Sequence, residues 1–167
     1  MKINKIIIAT VCVLILALGY WLLSPLWRNT RLNEEAPIID TGTATVSTTD
    51  TTVAQKDTVV SPATVITKAS GVFKGFDKLH NGTGTVNLIS NSKETYIRFE
   101  SDFSVTNGPD LYVGFGKDGK YIESAELARL KGNQGSQNYL VPSTVDLSQY
   151  NEVWIWCKAF SVPFARA

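Results

Sequence analysis

The chain has 167 residues, 16 basic against 15 acidic, and a net charge of +1. That length holds one ordinary domain plus accessory segments. From Lys68 onward the balance is 11 basic to 10 acidic, so the basic face that nucleic acid demands is missing and no nucleic-acid partner is expected.

Residues 6–23 read "IIIATVCVLILALGYWLL", 18 residues without a charge. A helix of that length is about 27 Å long, against a bilayer hydrocarbon core of about 30 Å. Lys2 and Lys5 precede it; Tyr20, Trp21 and Trp27 lie towards its outer end, where aromatic rings favour the membrane interface. A cleavable signal peptide is the competing reading, with Ala17 and Gly19 as a small-x-small site. The apolar run continues past Gly19 for another turn and a half, so a retained anchor over residues 1–28 is the reading adopted. Cys12 lies inside this run as a small membrane residue.

Residues 29–67 change character. The stretch "TGTATVSTTDTTVAQKDTVVSPATVIT" holds ten threonines in 27 residues and no aromatic side chain. Such a segment buries too little apolar surface to offset its ordering entropy, which predicts a disordered, flexible linker. As a coil it would span about 35 Å.

Residues 68–167 alternate with period two. In "TVNLI", Val86 and Leu88 oppose Thr85, Asn87 and Ile89; in "TYIRFE", Ile97 and Phe99 oppose Arg98 and Glu100; in "LYVGF", Leu111, Val113 and Phe115 share a face. Asn81-Gly82, Asn107-Gly108-Pro109 and Asp118-Gly119 are turn signals between the runs. The pattern predicts an all-β fold, a β-sandwich of short antiparallel strands, with one short helix over residues 124–130, "SAELARL".

In "VWIWCKAF", alternation puts Val153, Ile155 and Cys157 on one face and Trp154 and Trp156 on the other. Cys157 therefore has apolar companions, as a packed core thiol does. Outside the cytoplasm, however, thiols tend to be oxidised or avoided, so Cys157 is free, bonded to another chain, or bound to a ligand. Lys158 follows it but points to the opposite face. His80 is the sole histidine; with Cys157 it has the chemistry of a metal or haem ligand, yet two ligands fall short of structural zinc, which wants about four. No CxxC, CxxCH or HExxH occurs, so no metal is assigned and the cofactor stays unknown. Asn107 and Asp110 flank a Gly-Pro corner and read as turn residues. In "KGNQGSQNY", the amides of Asn133, Gln134, Gln137 and Asn138, with Tyr139, either line a polar groove for a sugar or peptide or satisfy backbone groups of a long loop.

Four stretches, "GVFKGFDKLHNGTGTV", "FSVTNGPDLYVGF", "LKGNQGSQNYLVP" and "VDLSQYNEVWIWCKAFSVPFARA", occur in an order and spacing that resembles the DM-thirteen domain, an extracytoplasmic module also found in Skeletor-type proteins. The resemblance implies a β-rich fold and a part in electron transfer. It also implies that the family's cysteine, Cys157 here, is a redox-active thiol or cofactor ligand. The chain is thus expected to be a single-pass cell-membrane protein, held in the membrane by its N-terminal helix with the C-terminal domain outside the cytoplasm. A redox partner protein or surface ligand is the expected partner. The alternative is a non-enzymatic surface module that binds a protein or glycan through its polar loops.

Overall fold

The computed structural model of the protein describes residues 5–23, 28–37, 66–90 and 93–167. A helix, α1, covers Lys5–Leu23. Among the described residues, no helix is long and apolar enough to cross a membrane. The expected helix is present, without the length and apolarity of a span in its described part.

Twelve strands follow: β1 (Arg31–Asn33), β2 (Ile66–Val72), β3 (Lys74–Gly75), β4 (Gly82–Thr83), β5 (Thr85–Ser90), β6 (Thr95–Phe99), β7 (Ser104–Val105), β8 (Leu111–Lys117), β9 (Lys120–Arg129), β10 (Gln134–Val141), β11 (Glu152–Cys157) and β12 (Val162–Arg166). A seven-stranded sheet runs β2-β5-β6-β10-β7-β4, with β1 added alongside β10, and a five-stranded sheet runs β3-β12-β11-β8-β9. All pairs are antiparallel except β1 with β10. The predicted all-β sandwich is therefore the fold.

Alternation explains the core. Val86, Ile97, Phe99, Leu111, Val113, Phe115, Ile155 and Cys157 all enter one apolar cluster between the sheets. Phe99 is at its centre, edge-on to Phe73 at 5.0 Å and tilted against Phe103 at 4.5 Å. Fully burying one such ring contributes about 1.5–3 kcal/mol. Asp118 and Gly119 both have positive φ, 51° and 80°, and turn β8 into β9, as the Asp-Gly signal predicts for a tight hairpin. Gly82, by contrast, sits in β4 and not in a turn; the reversal before it is made by residues 76–80, closed by N–H groups of Phe76 and Asp77 on the His80 carbonyl.

Two expectations are corrected. The helix predicted over residues 124–130 is the second half of β9, a ten-residue strand paired with β8 from Lys120 to Arg129. Ala, Glu, Leu and Arg favour helix by only a few tenths of a kcal/mol each, less than a strand gains by pairing along its length and burying Ala125. Parts of the predicted linker, residues 29–67, are strand at both ends, residues 66 and 67 opening β2. Residues 31–33 form β1, in parallel register with residues 134–136. The remainder of the predicted linker, residues 38–65, lies outside the described residues.

Loops 76–81, 106–110, 130–133 and 158–161 gather at one end of the sandwich. Thr106 Oγ1 donates to the Leu79 carbonyl, the Lys158 N–H to the Asp110 carbonyl, and the Leu130 N–H to the Leu111 carbonyl. The β8–β9 hairpin and the 3-10 turn Leu147–Gln149 occupy the opposite end.

Candidate functional site

Cys157 ends β11, opposite Leu111 of β8 and Val162 of β12. Its exposure is 0% and its thiol is free. Ile155, two residues earlier on the same face, is equally enclosed. The cleft that opens between the sheets is lined by Leu88, Phe115, Tyr150 and Val153 among others, and does not reach Cys157. Among the described residues, no group of three or more His, Cys, Asp or Glu side chains is placed to hold a metal. Among the described residues the shell of Cys157 is apolar and no set of metal-holding side chains is completed around it, which does not fit a haem or metal ion, so the implied cofactor-ligand role is not carried by this geometry.

The other face of β11 is aromatic. Trp156 stacks on Tyr121 with ring centroids 4.9 Å apart and planes 10° from parallel. Trp154 meets Phe76 at 5.5 Å, and its Nε1 donates to Glu152 at 3.0 Å. The Arg166 guanidinium covers Trp154 at 5.6 Å and pairs with Glu152 at 2.9 Å. Burial, with the Glu126 carboxylate beside it, pushes the Tyr121 hydroxyl pKa up, so this ring stays neutral. Lys158 also belongs to this face: its ammonium lies 3.0 Å from Glu126 and 4.8 Å from the Tyr112 ring centroid. It does not serve the thiol. Cys157 thus lies on a strand whose two faces differ sharply, one a sealed apolar core and the other a stacked aromatic surface.

A family model described as Electron transfer DM13 matches residues 73–167. The chain belongs to that family. No curated protein and no solved structure matches the chain. The match begins at Phe73, so β1 and β2 precede the matched residues of the DM13 domain although both are strands of its larger sheet.

The remaining predicted site residues of the DM13 domain are placed as follows. His80 is half-buried, its Nδ1 2.8 Å from Asp77 Oδ2 and its ring edge-on to Phe164 at 4.8 Å. The His80 side chain and the N–H groups of His80 and Leu79 lower the Asp77 pKa. These contacts make His80 a turn residue. Asp110 does not cap its own loop; its carboxylate reaches Arg129 at 3.4 Å.

Three of the four amides of "KGNQGSQNY", those of Asn133, Gln137 and Asn138, are engaged within the molecule. Gln137, wholly buried, accepts from the Gly132 N–H and the Tyr139 hydroxyl and donates to the Gly132 carbonyl. Asn133 accepts from the Thr30 N–H at 2.6 Å and donates to Asn29. Asn138 donates to Glu34 and to the Glu35 carbonyl. Arg98 and Ser136 donate to the Glu34 carbonyl, and Lys131 pairs with the Glu34 carboxylate. The predicted groove for a peptide therefore exists in part, and the peptide in it is the chain's own residues 29–35. Sequence reasoning missed this clasp because its two halves are about a hundred residues apart and β1 has no apolar alternation.

Proposed function

We propose that the protein is a membrane-anchored electron-transfer module working outside the cytoplasm, with Cys157 as its redox group. The family match over residues 73–167 carries the electron-transfer part of this reading. The uncharged run of residues 6–23 supports the anchor. A free thiol survives in an oxidising compartment when no second thiol reaches it, and the enclosure of Cys157 supplies that protection. Loss of one electron to an oxidised partner protein then leaves a thiyl radical at Cys157 and releases the thiol proton to water, and one electron from a reduced partner with one proton restores the thiol, without mixed-disulfide formation. The stacked Trp156–Tyr121 pair, beginning one residue along the same strand, offers an oxidisable surface for this exchange.

The test is voltammetry of the full chain with Cys12→Ser, compared with the same chain carrying Cys157→Ala. A wild-type redox wave that is absent from the folded alanine variant is expected. No wave, or the same wave in both, refutes the role of Cys157. A second reading, in which Cys157 is a packing residue, is favoured by its complete enclosure among Leu111, Ile155 and Val162. The surface-binding alternative loses its main ground, since the loop amides already hold residues 29–35.

A further inference from the structure

The chain enters the β-domain at the end that carries its most exposed apolar side chains. Asn29 is fixed there, its Oδ1 accepting from Asn107 at 3.1 Å and Asn133 at 2.9 Å. Leu79 and Phe160 project from loops at this same end and are 77% and 69% exposed, the highest values for large apolar residues of the β-domain among the described residues. Neither loop is loose. The Leu79 carbonyl accepts from Thr106, and the Leu79 and His80 N–H groups both donate to Asp77. The turn bearing Phe160 is pinned by the Lys158 N–H on Asp110 and by the left-handed backbone of Ser161. Four exposed cations, Arg28, Lys78, Arg129 and Lys158, lie on or beside the loops of this end. Arg129 pairs with Asp110 and Lys158 with Glu126, and Asp77 is held in the His80 turn, so Arg28 and Lys78 tip the local charge balance to positive.

From Leu23, the end of α1, to Asn29 is six residues, a reach of about 20 Å at full extension. If α1 is held in a bilayer, the docking of residues 29–35 removes the long tether and keeps this end close to the lipid. Apolar side chains on fixed loops, with a slight excess of positive charge beside them, suit an anionic lipid interface.

We propose that loops 76–81 and 158–161 form a membrane-contact surface, inserting Leu79 and Phe160 into the interface of a bilayer containing anionic lipid. This inference rests on the anchoring part of the proposed function.

The experiment uses the full chain in vesicles of phosphatidylcholine and phosphatidylglycerol, with Cys12→Ser throughout and Cys157 left enclosed. A nitroxide is placed in turn at Leu79→Cys, Phe160→Cys and, at the opposite end, the exposed Ser143→Cys. Collision with oxygen, which concentrates in lipid, is compared with collision with a water-soluble nickel chelate. Labels at 79 and 160 are expected to favour oxygen several-fold over the label at 143. If all three report water while the chain stays with the vesicles after an alkaline carbonate wash, the anchor stands and the contact surface is refuted. A partner protein as the true occupant gives this same water-exposed result in protein-free vesicles. If the wash removes the chain, the anchor reading fails and the contact surface with it.

Discussion

Glu34 and Lys131, 97 residues apart in sequence, close an ion pair at 2.9 Å that fastens the N-terminal segment to the β-domain. The Asn138 N–H shares the same carboxylate at 2.9 Å. This partly exposed pair contributes little alone, about 0.2–1 kcal/mol. The amides behind it matter more.

Asn133→Ala leaves the Thr30 N–H without its acceptor and removes one of the two donors to Asn29 Oδ1, Asn107 being the other. An unpaired, partly buried N–H costs about 1–3 kcal/mol. The expected result is cleavage near Arg31 by trypsin at a rate several-fold above wild type, with the resistant core unchanged. Equal cleavage rates would show that the parallel β1–β10 pairing suffices.

Acid should loosen the same clasp. Partial burial raises the Glu34 pKa, but the Lys131 ammonium and the Asn138 N–H outweigh it and leave the pKa below its ordinary value of 4.5. A carboxyl depressed in the folded state adds stability that is present above its ordinary pKa and lost as pH falls through the folded value. Hydrogen exchange of residues 29–36, corrected for intrinsic rates, should therefore quicken below about pH 4.5, and Glu34→Gln should flatten this dependence. An unchanged pH profile in the Gln variant would assign it to another group.

Cys157 should resist alkylation in the native protein and react once denaturant is added. Cys157→Ala deletes one sulfur from a sealed core, a smaller cavity than Leu→Ala, which costs about 2–5 kcal/mol. Cys157→Ser keeps the size but places a hydroxyl among apolar neighbours, for about 1–3 kcal/mol if it stays unpaired. Melting temperatures in the order wild type, then alanine, then serine are expected. Rapid native alkylation would mean that the core opens around β11.

Gly116 lies against the Trp154 indole, and a Cβ there would overlap Nε1 and approach the Lys120 carbonyl at 2.7 Å. Gly116→Ala should displace the indole from Glu152 and cost about 1–3 kcal/mol by overpacking. Near-ultraviolet circular dichroism would report the loss of the fixed tryptophan environment. An unchanged spectrum and stability would show that β8 and β11 separate without cost.

Much of this arrangement is legible in the residues. Period-two alternation places Ile97 and Phe99, Leu111 to Phe115, and Ile155 and Cys157 on the core face, because a strand offers no other way to hide them. Asp118-Gly119 sets its hairpin through positive backbone angles that the dipeptide itself favours. The alternation also finds the inward direction of Cys157, while its total enclosure depends on β8 and β12, which local sequence does not describe. "SAELARL" misleads because helix propensity is weak beside tertiary pairing. The clasp leaves no local trace, since "RLN" acquires meaning only from amides far along the chain.

The docking of β1 also alters what a protease achieves on this molecule. β1 and β2 are both strands of the larger sheet. A single cut between residues 37 and 66 severs the covalent path from α1 to β2, yet the two pieces stay joined through β1, Glu34 and Asn133. Shedding of the domain then requires a second event, the opening of a non-covalent joint. Its rate is set by an equilibrium that acid or a loop substitution can shift, and not by the cut itself.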